Sequence, residues 1–148
     1  MQLPRSADAL YCDRETLYLV EFKNGSLKET LGKRLNPKDD EELGINLGQR
    51  DALIEKCKDS VLICSDLWGK RTRWFREHCV FVLVYNEDKN KTALKRVASS
   101  IRKKARFGLP DKLKGFCVKD VFTLTEKEFS TSLLSTWRDA EEIAEVDA

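Results

Sequence analysis

From Leu17 to Lys23 the chain reads LYLVEFK, rich in aliphatic and aromatic residues, and Asn24-Gly25 stops the run. The pattern predicts a strand. A weaker strand over residues 6–12 completes a hairpin across 6–25, turned at Asp13-Arg14-Glu15-Thr16. Side chains alternate along a strand, so Leu17, Leu19, Glu21 and Lys23 share one face and Tyr18, Val20 and Phe22 the other. Both faces begin apolar, as in a strand covered on both sides. From Asn46 the apolar period becomes helical. Leu47, Leu53, Ile54, Cys57 and Val61 form a stripe, with Gln49, Arg50, Glu55, Lys56 and Lys58 expected outward. This predicts a helix over about 46–60, with Asn46 as a candidate cap. Val61-Leu62-Ile63-Cys64 either continues it or begins a strand.

Residues 79–85 (CVFVLVY) are the most hydrophobic run and predict a central buried strand. Leu94, Val97, Ala98, Ile101 and Ala105 predict a helix over about 88–107, capped by Asp88 or Asn90 and ended by Gly108 and Pro110. Residues 115–124 read as one strand or two short ones. Thr125 with Glu128 makes a capping box before a final helix over about 129–145, with Leu133, Leu134 and Trp137 on its apolar side. The C-terminal strand and acidic helix together occupy 115–148.

At 148 residues the length suits one domain, 1–148, with room for a real core. Five cysteines, an odd number without a CxxC pair, fit reduced thiols and a cytoplasmic location better than a disulfide framework or zinc site. No signal-peptide pattern and no apolar run of about 18 residues appears, so neither secretion nor membrane spanning is supported. His78 is the single histidine, so a His-rich metal site is excluded. Gly44 and Gly48 precede no GK[ST], which excludes a P-loop.

Net charge is only +2, but its distribution is uneven. Residues 89–119 carry eleven Lys and Arg against Asp111 alone, or +10, and 126–148 carry seven acids against two cations, or −5. The basic helix makes phosphate contacts an expectation, with Lys95, Arg96, Arg102 and Lys103 as candidates. The acidic C-terminal helix is a candidate surface for a basic protein partner. Residues 68–76 (WGKRTRWFR) interleave cations with aromatics, a pattern able to grip phosphates and stack bases, or to bury Trp74 and Phe75 between solvated cations.

The hairpin carries the candidate chemistry. A four-residue loop pairs Cys12 with Leu17 and therefore Asp8 with Glu21, residues whose Cβ atoms would lie roughly 5 Å apart. A two-residue loop would slide the pairing by two and keep Asp8 on the same face, and a three-residue loop would turn it to the other. Two carboxylates converging beside Lys23 suit a hard divalent cation. Asp8, followed thirteen positions later by Glu21-x-Lys23 at the end of an apolar strand, resembles the signature of the PD-(D/E)XK nuclease superfamily. The strand–strand–helix–strand order resembles that family's core. Ala7 stands where the family's name puts proline. With seven residues ahead of Asp8, the usual leading helix and strand are missing, which implies a trimmed or reduced member.

The resemblance implies an α/β fold with a small mixed β-sheet flanked by helices, restriction-endonuclease-like. It implies a Mg²⁺- or Mn²⁺-dependent phosphodiesterase acting on DNA, or on RNA. Asp8, Glu21 and the backbone carbonyl of Phe22 would ligate the metal, and Lys23 would be the catalytic lysine. Many members carry a glutamine four residues before a tyrosine on the following helix. Gln49 matches the first position, while Leu53 stands at the second. The alternative expectation is a non-catalytic protein on the same fold, binding nucleic acid or, as an immunity-type protein, a partner protein.

Overall fold

The computed structural model describes residues 6–27, 45–90 and 107–147. Four strands form one mixed sheet in the order β1 (Ala9–Asp13), β2 (Thr16–Lys23), β3 (Cys79–Tyr85) and β4 (Asp120–Thr125). β1 runs antiparallel to β2, while β2, β3 and β4 are parallel. In the hairpin Cys12 pairs with Leu17 and Ala9 with Val20, the register expected of the polar turn. The ladder closes tighter than the sequence suggests. Asp13 pairs with Thr16, and Arg14 takes a left-handed φ of 56° to turn the chain. At the other end β1 begins at Ala9, so Asp8 lies just outside the strand.

Helices cover both faces. On one face lie α1 (Leu47–Trp68), α2 (Thr72–His78) and α3 (Leu109–Leu113). Leu53, Cys57 and Val61 of α1, Phe75 of α2, and Leu109 and Leu113 of α3 pack there in one cluster with Leu17, Leu19, Phe81, Leu83, Tyr85 and Val121 of the sheet. The other face packs Val20, Val80, Val82, Val84 and Leu124 against Phe129 and Trp137. Those two aromatics come from a helical run made of α4 (Glu126–Phe129), a π-helical turn (Ser130–Leu134) and α5 (Ser135–Asp147). All seven residues of β3 are buried, because it is the central strand under both layers. Full burial of each such apolar side chain contributes about 1.5–3 kcal/mol.

Two local expectations change. Val61 to Cys64 continues α1, which runs eight residues past the expected end and stops at Gly69 in the left-handed region, φ 62°. Ser60, Val61 and Cys64 extend the buried stripe by another turn, and that burial decides for helix over the β-branched local preference. In 115–124 only Asp120–Thr125 is strand. Residues 115–117 form a turn, with Gly115 at φ 77° and its N–H donating to Val118 O at 2.8 Å. Asn90 is buried as a brace: its Nδ2 donates to Asn86 O (2.7 Å) and Gly25 O (3.3 Å), and its Oδ1 accepts from Leu27 N (2.8 Å).

The predicted caps of α1 and α4 form. Asn46 accepts from Gly48 N and Gln49 N. Thr125 and Glu128 bond reciprocally as a capping box. Of the expected basic helix, Asp88–Asn90 is a 3-10 turn, and Lys95, Arg96, Arg102 and Lys103 lie outside the described residues.

Candidate functional site: a buried carboxylate at the end of β2

Parallel pairing sets the geometry of the site. Glu21 lies beside Leu83 and Lys23 beside Tyr85, on the face that α1 covers. The two residues therefore sit where the parallel strands end, a position at which open α/β sheets commonly hold ligands. Glu21 is not at an exposed strand end, as its polarity suggests. It is 1% exposed.

Lys56 explains how the carboxylate tolerates burial. Its Nζ lies 2.5 Å from Glu21 Oε1. The sequence places Lys56 outward, yet it is one helical step from Leu53 and one from Ser60, both buried on the sheet side. The long, partly covered lysine side chain carries its ammonium from the helix to the carboxylate. The spacing Leu53-x-x-Lys56-x-x-x-Ser60 is the one signal in the sequence that could have found it.

Glu21 Oε2 has no hydrogen-bond partner. Among the described residues, the other buried side-chain atom so left is Nε of Arg50, on α1. A buried acceptor without a partner costs about 1–3 kcal/mol, and more when charged. Such an atom is a natural donor to a cation.

Asp8 shares the hairpin end but not the burial. It is exposed, and its Oδ2 accepts from Phe22 N at 2.9 Å. Continuing the ladder by one residue places Asp8 across from Glu21. A strand residue's N–H and C=O point to the same side, so the Phe22 carbonyl also faces the β1 side, beyond the last ladder pair at Ala9 and Val20. The Phe22 side chain belongs to the opposite face and meets Phe129 edge-on at 5.8 Å. Lys23 is half-buried at the last position of β2. Gln49 is no solvated residue: its Nε2 donates to Ser26 O at 3.1 Å, tying the loop after β2 to α1. Asn46 N adds a 2.7 Å bond to Leu27 O.

Two carboxylates and a main-chain carbonyl are thus the donors at hand. Among the described residues no group of three or more His, Cys, Asp or Glu gathers to hold a metal. The orphaned Oε2 fits a divalent cation, while Asp8 Oδ2 is already engaged by Phe22 N–H.

The cation–aromatic stretch lies elsewhere. Phe75 is core, Trp74 stacks on His78 at 4.8 Å, Lys70 sits 5.3 Å over the Trp74 ring, and Arg73 pairs with Glu77. His78 leads directly into the start of β3, so this cluster is at the opposite end of the parallel strands from Glu21. Lys114 and Lys119 precede β4 at that same far end, whereas Lys89 follows β3 at the Glu21 end. A separate apolar groove of about 470 Å³, lined by Leu10, Tyr11, Phe22, Phe129, Leu134 and Trp137 among others, opens on the α5 face.

The described part of the chain is therefore an α/β protein: a four-stranded mixed sheet between helices, with a lysine-clasped carboxylate at the strand ends. Comparison with protein-family models, curated proteins and solved structures finds no match. No helix among the described residues is long and apolar enough to cross a membrane.

Proposed function

We propose that the chain is a restriction-endonuclease-like, metal-dependent phosphodiesterase of the PD-(D/E)XK type, acting on DNA. The observation that carries the reading is Glu21: a fully buried carboxylate at the end of a parallel strand with one oxygen left unpartnered. Asp8, Glu21 and the Phe22 carbonyl would hold Mg²⁺ or Mn²⁺. Such a cation, when bound, supplies Lewis acidity toward a phosphate oxygen and a more acidic water. Lys23, on the same face as Glu21, donates to charge developing on the phosphate. Lys56 is the addition that the sequence alone does not suggest: it holds Glu21 Oε1 and so orients Oε2. The +10 charge of residues 89–119 favours a polyanionic substrate, and exposed Lys89 stands at the same sheet end as the site.

Supercoiled plasmid incubated with the protein and Mn²⁺ tests the reading. Nicking or linearisation is expected, lost with EDTA and with Glu21→Gln. Cleavage that survives Glu21→Gln points to another nuclease in the preparation. A second reading follows from the closeness of the Glu21–Lys56 contact: a structural clasp on a non-catalytic protein of this fold. It predicts no metal response and no cleavage.

A further inference from the structure

β1 is an edge strand, paired with β2 alone among the described residues. The Phe22 N–H reaches Asp8 on the β1 side, so Val20, Tyr18 and Thr16, in step with it along β2, also turn their N–H and C=O groups toward β1. Their partners Ala9, Tyr11 and Asp13 turn their own groups to β2. Leu10 and Cys12 therefore aim theirs outward, and among the described residues no other strand, turn or loop bonds to them. Leu10 is 54% exposed, and Cys12 is exposed as well. No lysine, proline or bulge blunts this edge from Ala9 to Cys12. The apolar groove adjoins it. Ala9, Leu10 and Tyr11 form one wall, and the helical run from α4 to α5 forms the other. Phe129 meets Phe22 at 5.8 Å, and Trp137 meets Tyr18 at 5.1 Å and Tyr11 at 4.3 Å. Eight residues of helix and four of strand both span about 12–13 Å, so the helical run follows the strands along the groove. Glu126, Ser130, Leu134, Trp137 and Glu141 succeed one another at helical steps of three or four. The first four line the groove. Desolvation and then the Glu141 carboxylate raise the Tyr11 pKa, in keeping with Glu141 at the groove's far end. The helical wall is thus apolar in its middle with an exposed acid at each end.

We propose that β1 and this groove bind an extended peptide of a partner protein, apolar in its middle and basic at its ends, as an added strand of the sheet. The peptide main chain bonds to the outward groups of Leu10 and Cys12. Its side chains alternate in direction, so every second one enters the groove beside Ala9 and Tyr11. Ala9 carries only a methyl group, which leaves room there for a large apolar or aromatic side chain. The basic ends meet Glu126 and Glu141, which gives the peptide its register. Those acids are about 22 Å apart along the helix axis, a distance that about seven extended residues cover. A second copy of the chain suits the edge less well, since its own β1 has no cation between Ala9 and Asp13 to meet the two acids. The groove is on the α5 face and the Glu21–Lys56 pair on the α1 face, so the inference stands whether or not that site cuts DNA.

Fluorescence anisotropy tests it with a labelled seven-residue peptide, lysine at both ends and phenylalanine alternating with valine between. Saturable binding to the wild type is expected. The same peptide with glutamate at both ends should bind at least about tenfold more weakly, as should the lysine peptide to the double variant Glu126→Gln, Glu141→Gln. Ala9→Phe, which fills the groove, should weaken binding as much. Methylating the main-chain nitrogens of the phenylalanines alone, or of the valines alone, removes every second N–H. One of these two peptides should lose binding and the other keep it, and which one does so reports the direction of the added strand. No binding of the lysine peptide, equal binding of the glutamate peptide, or equal effects of the two methylated peptides would overturn the proposal. So would sedimentation of the protein as a dimer that Leu10→Lys dissociates, because a second copy then holds the edge. The peptide comparisons use the wild type, so poor folding of a variant leaves the test intact.

Discussion

Lys56 and Glu21 are 35 residues apart in the chain and 2.5 Å apart in space, the ammonium of α1 capping a carboxylate that β2 buries. One end of the carboxylate is neutralised and the other is bare. The pair ties the crossover helix to the sheet at the point where the candidate chemistry sits.

Removing one partner leaves the other charge buried. Lys56→Met should lower the unfolding free energy by about 3–5 kcal/mol, as for other broken buried pairs. Glu21→Met with Lys56→Met should recover most of that loss, because the second charge is gone as well. Urea melts of the two single variants and the double variant measure the coupling. Additive losses would show that the pair is too hydrated to matter.

Metal binding should appear as stability. At a free Mn²⁺ concentration a hundred times the dissociation constant, the folded state should gain about 2.7 kcal/mol. Thermal melts against Mn²⁺ should rise for the wild type and stay flat for Glu21→Gln. Asp8→Asn should reduce the response, since it keeps an acceptor for Phe22 N–H but removes a charge.

The buried thiols make the fold alkali-sensitive. Burial pushes Cys79 and Cys64 up, and hydrogen bonding and burial push Cys57 up, from the ordinary 9.0. Above that value the unfolded chain releases protons that the folded one keeps. The folded state then binds more protons, so stability is complete below pH 9.0 and falls as pH rises. Cys117, whose pKa is lowered, works in the opposite direction. Each raised thiol contributes a slope of up to about 1.4 kcal/mol per pH unit. Denaturation at about pH 8 to 10, under reducing conditions, should show a decline, and Cys79→Ala should make it shallower whatever its absolute stability.

The second core depends on one indole. Trp137 stacks on Tyr11 at 4.3 Å, meets Phe129 edge-on at 5.7 Å, and is 6% exposed. Trp137→Ala should cost about 3–5 kcal/mol. Near-ultraviolet circular dichroism should lose the aromatic signal while cleavage, if present, persists under conditions where the variant stays folded. The site is on the other face of the sheet.

Local signals were strong where the chemistry is local. The alternation in LYLVEFK put Glu21 and Lys23 on one face and Phe22 on the other. The polar turn set the hairpin register, CVFVLVY set the central strand, and Asn46 and Thr125-x-x-Glu128 set two caps. These follow from side-chain period, turn chemistry and orphan N–H groups, each contained in a few neighbouring residues. Tertiary structure decided the rest. Val61 to Cys64 became helix because that turn of α1 had a sheet to cover. Glu21 became buried because α1 lies over the end of β2, and only that packing brings Lys56 to it. Cys57 and Cys117 share one core cluster because both crossover connections lie on the same face. Contacts between residues dozens of positions apart leave no periodic trace, since either partner alone reads as an ordinary lysine on a helix or glutamate on a strand.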